Sequence, residues 1–251
     1  MTSNKKVAIV TGGGRGIGLS IVNRLIADDF LVLACGRSER SQELPDNAAW
    51  EIADVSKPID AQSVVEKAEN LLGPIHLLVN NAGVQVEKTV AESSDDDWDL
   101  VVGVNCRGVF NMSRAVLPDM QRRWGNIINI GSISGNVSDP SMALYNASKA
   151  FVHGLTRSIA VDHGPNVRCN AIQPGWIMTA MADDAFALAN NPEAAKADAL
   201  SRHPVGRFGK PEDIADLVGF LASDQSHYIS GECITIDGGM TAASPLQPGL
   251  F

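Results

Sequence analysis

The sequence predicts a doubly wound α/β fold, in which a parallel sheet of about seven strands carries helices on both faces. Short apolar runs alternate with longer stretches of helical periodicity, and parallel strands need a crossover of a dozen or more residues between them. Ile17, Ile21 and Leu25 repeat at i, i+4 and i+8, which predicts a helix directly after the first strand. The runs expected as fully buried strands are 7–10, 31–34, 75–79, 126–130, 167–172 and 233–236, and a weaker strand is expected at 49–53.

The 251 residues contain no internal repeat, low-complexity tract or long linker, so we expect one domain over residues 1–251. Residues 176–205 interrupt the alternation with a helical-looking stretch at 180–199. An insertion after the carboxyl end of a strand is where a substrate lid would lie. The tail at 244–251, with two prolines, is expected to be frayed or docked on a neighbouring subunit.

Composition excludes several classes of protein. Hydrophobic residues make up 45% and charged residues 20%, which is typical of a folded globular chain. The net charge of −9 argues against binding to nucleic acid or to an anionic membrane. No apolar run approaches the roughly 20 residues of a membrane span, and no secretory segment precedes the first strand, so a cytoplasmic location is expected.

Cysteine and histidine are both scattered. The four cysteines lie singly in apolar segments, which predicts buried, reduced thiols. The five histidines are equally dispersed, and neither residue type shows metal-ligand spacing, so no metal site is predicted.

A glycine-rich turn, Thr11-Gly12-Gly13-Gly14-Arg15-Gly16-Ile17-Gly18, joins the first strand to the first helix. Glycines allow the backbone to turn tightly and approach a pyrophosphate, whose charge is met by free N–H groups and the helix dipole. The predicted contacts are Gly12, Gly14, Gly16, Ile17 and Gly18. A flexible turn without a ligand is the alternative, and the G-x-x-x-G-x-G spacing departs from the commoner G-x-G-x-x-G.

The end of the second strand indicates which dinucleotide is preferred. An acidic residue there would bind a ribose 2′-hydroxyl, whereas arginine would pair with a 2′-phosphate. This strand ends in Gly36-Arg37-Ser38, with no acid before Glu39, and Arg15 in the glycine turn supplies a second cation. NADP(H) is therefore favoured, NAD(H) remains possible, and the alternative is that both arginines are solvated surface charges.

Tyr145 and Lys149 lie four residues apart at the start of a helical stretch, so their side chains share one face. A phenol ordinarily titrates near pH 10, and a neighbouring ammonium is expected to lower that value. The pair could then exchange a proton with an alcohol or carbonyl oxygen. A Y-x-x-x-K pair by itself is common by chance.

Five motifs occur together in a defined order and spacing, and this combination is much more specific than any one of them. They are the T-G-x-x-x-G-x-G turn, Asn80-Asn81-Ala82-Gly83 after strand four, Ser132 after strand five, Tyr145-x-x-x-Lys149, and Pro174-Gly175 after strand six. Over essentially its whole length the chain resembles the short-chain dehydrogenase/reductase family, in its subfamily of about 250 residues with a Rossmann-type sheet.

The resemblance implies roles for individual residues. Tyr145 would be the acid/base, Lys149 would lower its pKa and hold the nicotinamide ribose, Ser132 would bind the reacting oxygen, and Asn105 would hold a water for proton relay. For Asn80 and Asn81 the alternative role is to brace the sheet, and for Thr179 it is to cap the lid helix. Further implied cofactor contacts are Asp54, Val55, Asn81, Ala82, Gly83, Pro174, Gly175, Ile177 and Thr179, besides Tyr145 and Lys149.

The function predicted is hydride transfer between NADP(H) and a small carbonyl or secondary alcohol. Alternatives are an NAD-dependent alcohol, polyol or sugar dehydrogenase, and a 3-ketoacyl reductase, for which the only basic docking candidates are Arg107, Arg114 and Arg122-Arg123. The Tyr145-to-Lys149 spacing argues against an enoyl reductase. A non-catalytic NADP(H) sensor would usually lack the tyrosine or lysine. The resemblance also implies a homotetramer or homodimer, with which the apolar faces around 101–120 and 151–161 are compatible.

Overall fold

The computed structural model describes residues 5–243 and shows a seven-stranded sheet in which every neighbouring pair of strands is parallel. The strand order is β3-β2-β1-β4-β5-β6-β7. The strands are β1 (Val7–Thr11), β2 (Leu31–Gly36), β3 (Ala49–Ile52), β4 (Ile75–Asn80), β5 (Gly125–Ile130), β6 (Val167–Pro174) and β7 (Cys233–Ile236). The predicted doubly wound fold is confirmed, whereas the tail at 244–251 lies outside the described residues.

Helices cover both faces of the sheet. Apolar side chains of α2, α4 and α5 pack on one face, and those of α1 and α8 pack on the other, which forms two separate core layers. The helices are α1 (Gly16–Ala27), α2 (Pro58–Leu72), α3 (Asp95–Val102), α4 (Val109–Arg123), α5 (Ala143–His163), α6 (Ala180–Ala187), α7 (Pro192–Ser201) and α8 (Pro211–Ala222).

The strand order fixes where a ligand can bind. From β1 the chain continues outward to β2 and β3, then returns to β4 on the other side of β1 and continues to β7. The loops after β1 and β4 therefore leave the sheet in opposite directions and open a crevice at the carboxyl ends of the strands. All the motifs that the sequence singled out follow the carboxyl end of a strand or lie on a helix that begins there.

Two expectations about elements are corrected. The stretch 180–199 is not one helix, because Asn191 caps a new helix through the N–H of Ala194 and Pro192 occupies its first turn. Strand β7 is not fully buried, since it is an edge strand whose residues are half-buried or exposed. Strand β3, at the other edge, is likewise incompletely covered.

The cysteines are free thiols, as predicted: Cys35, Cys106 and Cys169 are buried and Cys233 is half-buried. Within residues 5–243 no helix is both long and apolar enough to cross a membrane. The same residues contain no group of three or more histidine, cysteine or acidic side chains arranged to hold a metal ion.

Candidate active site

The glycine turn forms a cradle at the carboxyl end of β1. Gly12 has a φ of +64°, and a side chain on Gly18 would press against the carbonyl oxygen of Gly12 and the amide of Asn81. Helix α1 begins at Gly16 without a side-chain cap, so its first N–H groups remain available. These features fit a pyrophosphate bound through backbone N–H groups at a helix N-terminus.

Asn81 anchors this cradle to the strand beside it. Its side-chain amide donates to the carbonyls of Thr11 (3.0 Å) and Gly12 (3.2 Å), and the N–H groups of Asn81 and Ala82 both donate to the Thr11 hydroxyl. Asn80 points to the other side of the loop, where its amide donates to Asn129 and Ser113. Asn80 therefore braces β4 against β5 and α4, and Asn81 shapes the candidate site.

The arginines predicted to bind a phosphate are both exposed, and neither side chain forms a hydrogen bond or ion pair within residues 5–243. Burial raises the pKa of Asp54, but hydrogen bonds from Ser56 and the charges of Lys57 and of Arg37, which follows β2, together hold it below its usual value. Arg37 and Asp54 therefore lie near each other at the carboxyl edge. The backbone of Val55 is held by the amide of Asn111 at 3.0 Å.

Trp50 is a residue of this site that the motifs did not identify. Its ring lies against Gly14 and Gly36, leaving too little room at Gly36 for a side chain. Its indole N–H is buried and has no partner within the described residues. The only sequence signal was an aromatic residue in the weak third strand, which gives no reason to expect it beneath the glycine turn.

The loop after β6 closes the cradle from the other side. Thr179 lies over Gly16, where an added Cβ would be 3.4 Å from the threonine methyl. Thr179 occupies the N-cap position of α6, but its hydroxyl makes no capping bond and lies 3.4 Å from the Ile177 carbonyl. Gly175 lies against Asp237 with no space for a side chain. The structure thus brings Thr179 beside the glycine turn, whereas Gly175 lies against Asp237 and Ile177 lies against Gly209.

Ser132, Tyr145 and Lys149 meet at the carboxyl end of β5. Ser132 follows the strand and hydrogen-bonds Tyr145, while α5 places the Lys149 ammonium 5.5 Å from the centre of the Tyr145 ring. Lys149 is buried and donates to the carbonyl of Ile130 at 2.9 Å. This is the predicted constellation, with both side chains on one face of a helix.

The expectation that Lys149 lowers the pKa of Tyr145 is wrong for this structure. Desolvation raises the pKa of Tyr145 to about 12, the negative charge of Asp139 adds to that rise, and the hydrogen bond with Ser132 opposes it. Burial also lowers the pKa of Lys149 to about 8. Sequence spacing could indicate that the two groups are neighbours, but it gave no measure of the desolvation that both undergo.

Asn105 lies in a π-helical turn, Gly103–Gly108, between α3 and α4. Its amide donates to the carbonyl of Val84 (2.8 Å) and to the hydroxyl of Ser148 (2.9 Å), and its oxygen accepts the N–H of Val84. Gly83 lies between Asn105 and the Lys149 ammonium. The helix widening was not predicted, because no residue pattern marks a π-turn, although such turns often occur at functional sites.

One turn beyond Lys149, His153 lies buried on the same face of α5. The amide nitrogen of Gln173 is 3.2 Å from its Nδ1, and the amide oxygen accepts from Asn136 and Thr235. With its oxygen so engaged, Gln173 offers a donor, which requires a neutral ring nitrogen as acceptor. Burial and the charges of Lys149 and Arg157 lower the pKa of His153 to about 4.

We therefore expect His153 to make the fold sensitive to acid. An unfolded histidine titrates near pH 6.5, so between that pH and about 4 the unfolded chain binds a proton that the folded chain does not. The stability contributed by neutral His153 is complete above pH 6.5 and is lost as pH falls toward 4. Urea unfolding at a fixed protein concentration should show a shallower loss over this range for His153→Gln than for the wild type. Identical pH slopes would contradict the assignment.

Comparisons with known proteins agree with this geometry. A family model described as Enoyl-(Acyl carrier protein) reductase matches residues 12–241. A 3-oxoacyl-(acyl-carrier-protein) reductase, FabG, of Thermotoga maritima is 38% identical over 245 residues, covering 94% of this chain and 97% of that protein. The 2-(S)-hydroxypropyl-CoM dehydrogenase 3 of Xanthobacter autotrophicus is 39% identical over 248 residues, covering 94% and 97%.

Solved structures show the same likeness. The ligand-free aldohexose dehydrogenase of Thermoplasma acidophilum has a TM-score of 0.90 and 32% sequence identity, with 97% of this chain and 96% of that chain covered. These matches extend over nearly the full length of each protein, and the residues 12–241 matched by the family model contain every motif residue except Thr11. The chain therefore belongs to the short-chain dehydrogenase/reductase family and is an NAD(P)-dependent oxidoreductase acting on CH–OH groups.

Proposed function

We propose that this protein transfers a hydride between NADP(H) and a small carbonyl compound or secondary alcohol, with Tyr145 as the acid/base. The observation that carries the proposal is the meeting of Ser132, Tyr145 and Lys149 at the carboxyl end of β5, beside the glycine cradle. A nicotinamide bound across this edge supplies or accepts the hydride.

The chain's own residues would complete the reaction. Tyr145, which is protonated at neutral pH, would give its proton to the carbonyl oxygen during reduction. Ser132 would hydrogen-bond the same oxygen, and Lys149 would hold the nicotinamide ribose hydroxyls and supply a positive charge near the phenolate that remains. Asn105, close to Lys149 across Gly83, would hold a water for proton relay to that lysine.

The cofactor would be held along the whole carboxyl edge. Gly12, Gly14, Gly16, Ile17 and Gly18 would meet the pyrophosphate, and Arg15 with Arg37 the 2′-phosphate. Residues assigned to the adenine side are Asp54, Val55, Asn81, Ala82 and Gly83, and those assigned to the nicotinamide side are Pro174, Gly175, Ile177 and Thr179.

Exchange of both arginines tests the preference for NADP(H). Each charge-assisted bond to a phosphate is worth about 1.5–3 kcal/mol, so we expect Arg15→Ala/Arg37→Ala to weaken NADPH binding roughly 100-fold or more and to leave NADH binding unchanged. The measurement is a titration followed by nicotinamide fluorescence. Arg40→Ala is the matched control, because Arg40 lies three residues beyond Arg37 and bonds the Pro45 carbonyl. Tighter binding of NADH than NADPH by the wild type would refute the preference.

A 3-oxoacyl thioester is the second candidate substrate class, and it is favoured by the relative named as a 3-oxoacyl reductase. Docking of an acidic carrier protein would need an exposed basic surface. Arg122 and Arg123 both pair with Asp119, and Arg114 lies over Phe110. Arg107 is exposed and forms no ion pair within residues 5–243, so some basic surface remains. The net charge of −9 nevertheless opposes attraction of an acidic carrier, and we favour a free small molecule. Comparing free and carrier-bound 3-oxoacyl substrates separates the two.

Residues 176–205 are proposed as the substrate lid within a single domain. Trp176 stacks on Phe186 with ring centres 4.7 Å apart, and Phe208 contacts both Phe186 and His203. Contacts between these rings would hold the inner side of α6 and α7 in place, while the outer surface of the lid would stay free to move.

Assembly into a homotetramer or homodimer is proposed from the apolar surface of α3, α4 and α5. Phe110 and Phe151 are each 43% exposed, and Trp98 is 55% exposed. Apolar surface of this kind favours contact with another copy. We retain the cytoplasmic location as a proposal, supported by the negative net charge and the free thiols.

A further inference from the structure

A chain of hydrogen bonds leads from the candidate catalytic serine to a carboxylate. The hydroxyl oxygens of Ser132 and Ser134 are 3.0 Å apart, and the Ser134 hydroxyl is 2.6 Å from Oδ2 of Asp139. The backbone N–H of Ser134 also donates to the Ser132 hydroxyl oxygen at 3.1 Å. Both serines are buried, and Asp139 is half-buried in the loop before α5.

Counting hydrogens fixes the direction of this chain. An ionised carboxylate can only accept, so Ser134 must give its single hydroxyl hydrogen to Asp139. The Ser134 oxygen is then the acceptor for Ser132, whose own hydrogen points toward Ser134. A serine has one hydroxyl hydrogen, so a bond donated to Ser134 competes with one donated to Tyr145.

The loop that carries Asp139 is itself held in place. The Asn146 amide donates to the Asp139 backbone carbonyl at 3.0 Å, and the Asn136 amide donates to Gln173 at 3.0 Å. These bonds do not involve the Asp139 carboxylate. Substitution of that carboxylate therefore leaves the loop's anchors intact.

We propose that Asp139, acting through Ser134, is a positioning residue that draws the hydroxyl hydrogen of Ser132 away from Tyr145 and so opposes the ionisation of Tyr145. The inference rests on the proposed function for its catalytic meaning. A protonated Tyr145 is the form that donates to a carbonyl oxygen as hydride adds to the carbonyl carbon, leaving the alcohol and a tyrosinate. The relay would thus extend to higher pH the range over which Tyr145 can donate this proton.

The charges around Tyr145 agree with this assignment. Asp139 faces it from the loop after β5, and Lys149 lies against its ring from the next turn of α5. Cys106, from the π-helical turn, and His153 face Lys149 rather than the phenol. Asp139 is the negative charge that raises the pKa of Tyr145, in addition to burial.

The test reads the ionisation of Tyr145 directly, without substrate or cofactor. The chain has two tyrosines, and Tyr228 is 98% exposed, so Tyr228→Phe leaves Tyr145 as the sole tyrosine. In that background, NMR of tyrosine labelled with ¹³C at Cζ follows ionisation between about pH 9 and 12, which reaches the raised pKa of Tyr145. Ser134→Ala removes the relay and keeps the Asp139 charge, whereas Asp139→Asn removes the charge. Ser138→Ala, an exposed serine in the same loop, is the control.

We expect Ser134→Ala and Asp139→Asn each to lower the pKa of Tyr145 by about half a unit or more, and Ser138→Ala to leave it unchanged. In both variants the high-pH loss of carbonyl reduction should begin at lower pH. If the Tyr145 titration is unchanged in folded Ser134→Ala, the relay is overturned. If the titration shifts in Asp139→Asn alone, Asp139 acts on Tyr145 only through its charge, and the relay is likewise overturned. Failure of the protein to reduce any carbonyl would count against the proposed function, and the titration would still decide the relay.

Discussion

Replacing Tyr145 by phenylalanine should reduce turnover roughly 10³-fold or more while leaving cofactor affinity within about twofold. Phenylalanine keeps the ring that packs against Lys149 and removes the oxygen that exchanges a proton with the substrate. The measurement is steady-state reduction of a carbonyl substrate, together with an NADPH fluorescence titration. Tyr228→Phe is the matched control, because it makes the same change at an exposed position.

A protein that only sensed the cofactor would behave differently. Its output would be unchanged by Tyr145→Phe, because binding and not proton transfer would be its function. Turnover that persists at the level of the Tyr228→Phe control would therefore remove Tyr145 from the mechanism and reopen that alternative.

Lys149→Met should lower turnover by roughly 100-fold or more and also weaken NADPH binding. The methionine removes the ammonium beside the Tyr145 ring while filling most of the buried volume, so we expect the fold to be retained. The Ile130 carbonyl loses its donor, which is the main structural cost of the change.

The same variant has a readout independent of activity. The charge of Lys149 lowers the pKa of His153, so this pKa should rise when the charge is removed, as measured by NMR of the histidine ring. Lys6→Met is the control, since Lys6 lies at the amino end of β1 and pairs with an exposed aspartate, Asp224. Full activity in Lys149→Met would show that the ammonium is dispensable.

The sequence was informative about every strand because apolar runs in a parallel sheet are covered on both faces. It was less informative at the sheet's edge, where β7 has the apolar composition of a buried strand and yet is only half-covered. It also missed the division of the lid into α6 and α7, although Asn191-Pro192 is a start signal for a new helix.

For the site, spacing along the chain located residues but not their environment. The positions of Tyr145 and Lys149 followed from helical periodicity, and the residues after each strand followed from the topology. The raised pKa of Tyr145 could not be predicted from spacing, because it depends on desolvation and on the charge of Asp139. Trp50, the π-turn at Asn105 and the Ser134–Asp139 bond result from contacts between distant segments, which no local pattern encodes.

The most direct test of hydride transfer through Tyr145 uses NADPH deuterated at the nicotinamide C4 position and a panel of carbonyl compounds. The panel would include ketones, aldehydes, aldonolactones, 3-oxoacyl thioesters and 2-oxoalkyl thioethers, with products analysed by mass spectrometry. We expect the wild type and Tyr228→Phe to place deuterium on the former carbonyl carbon of at least one compound, and Tyr145→Phe to place almost none. Undiminished deuterium transfer by Tyr145→Phe, or no transfer to any compound by wild-type protein that binds NADPH, would contradict the account.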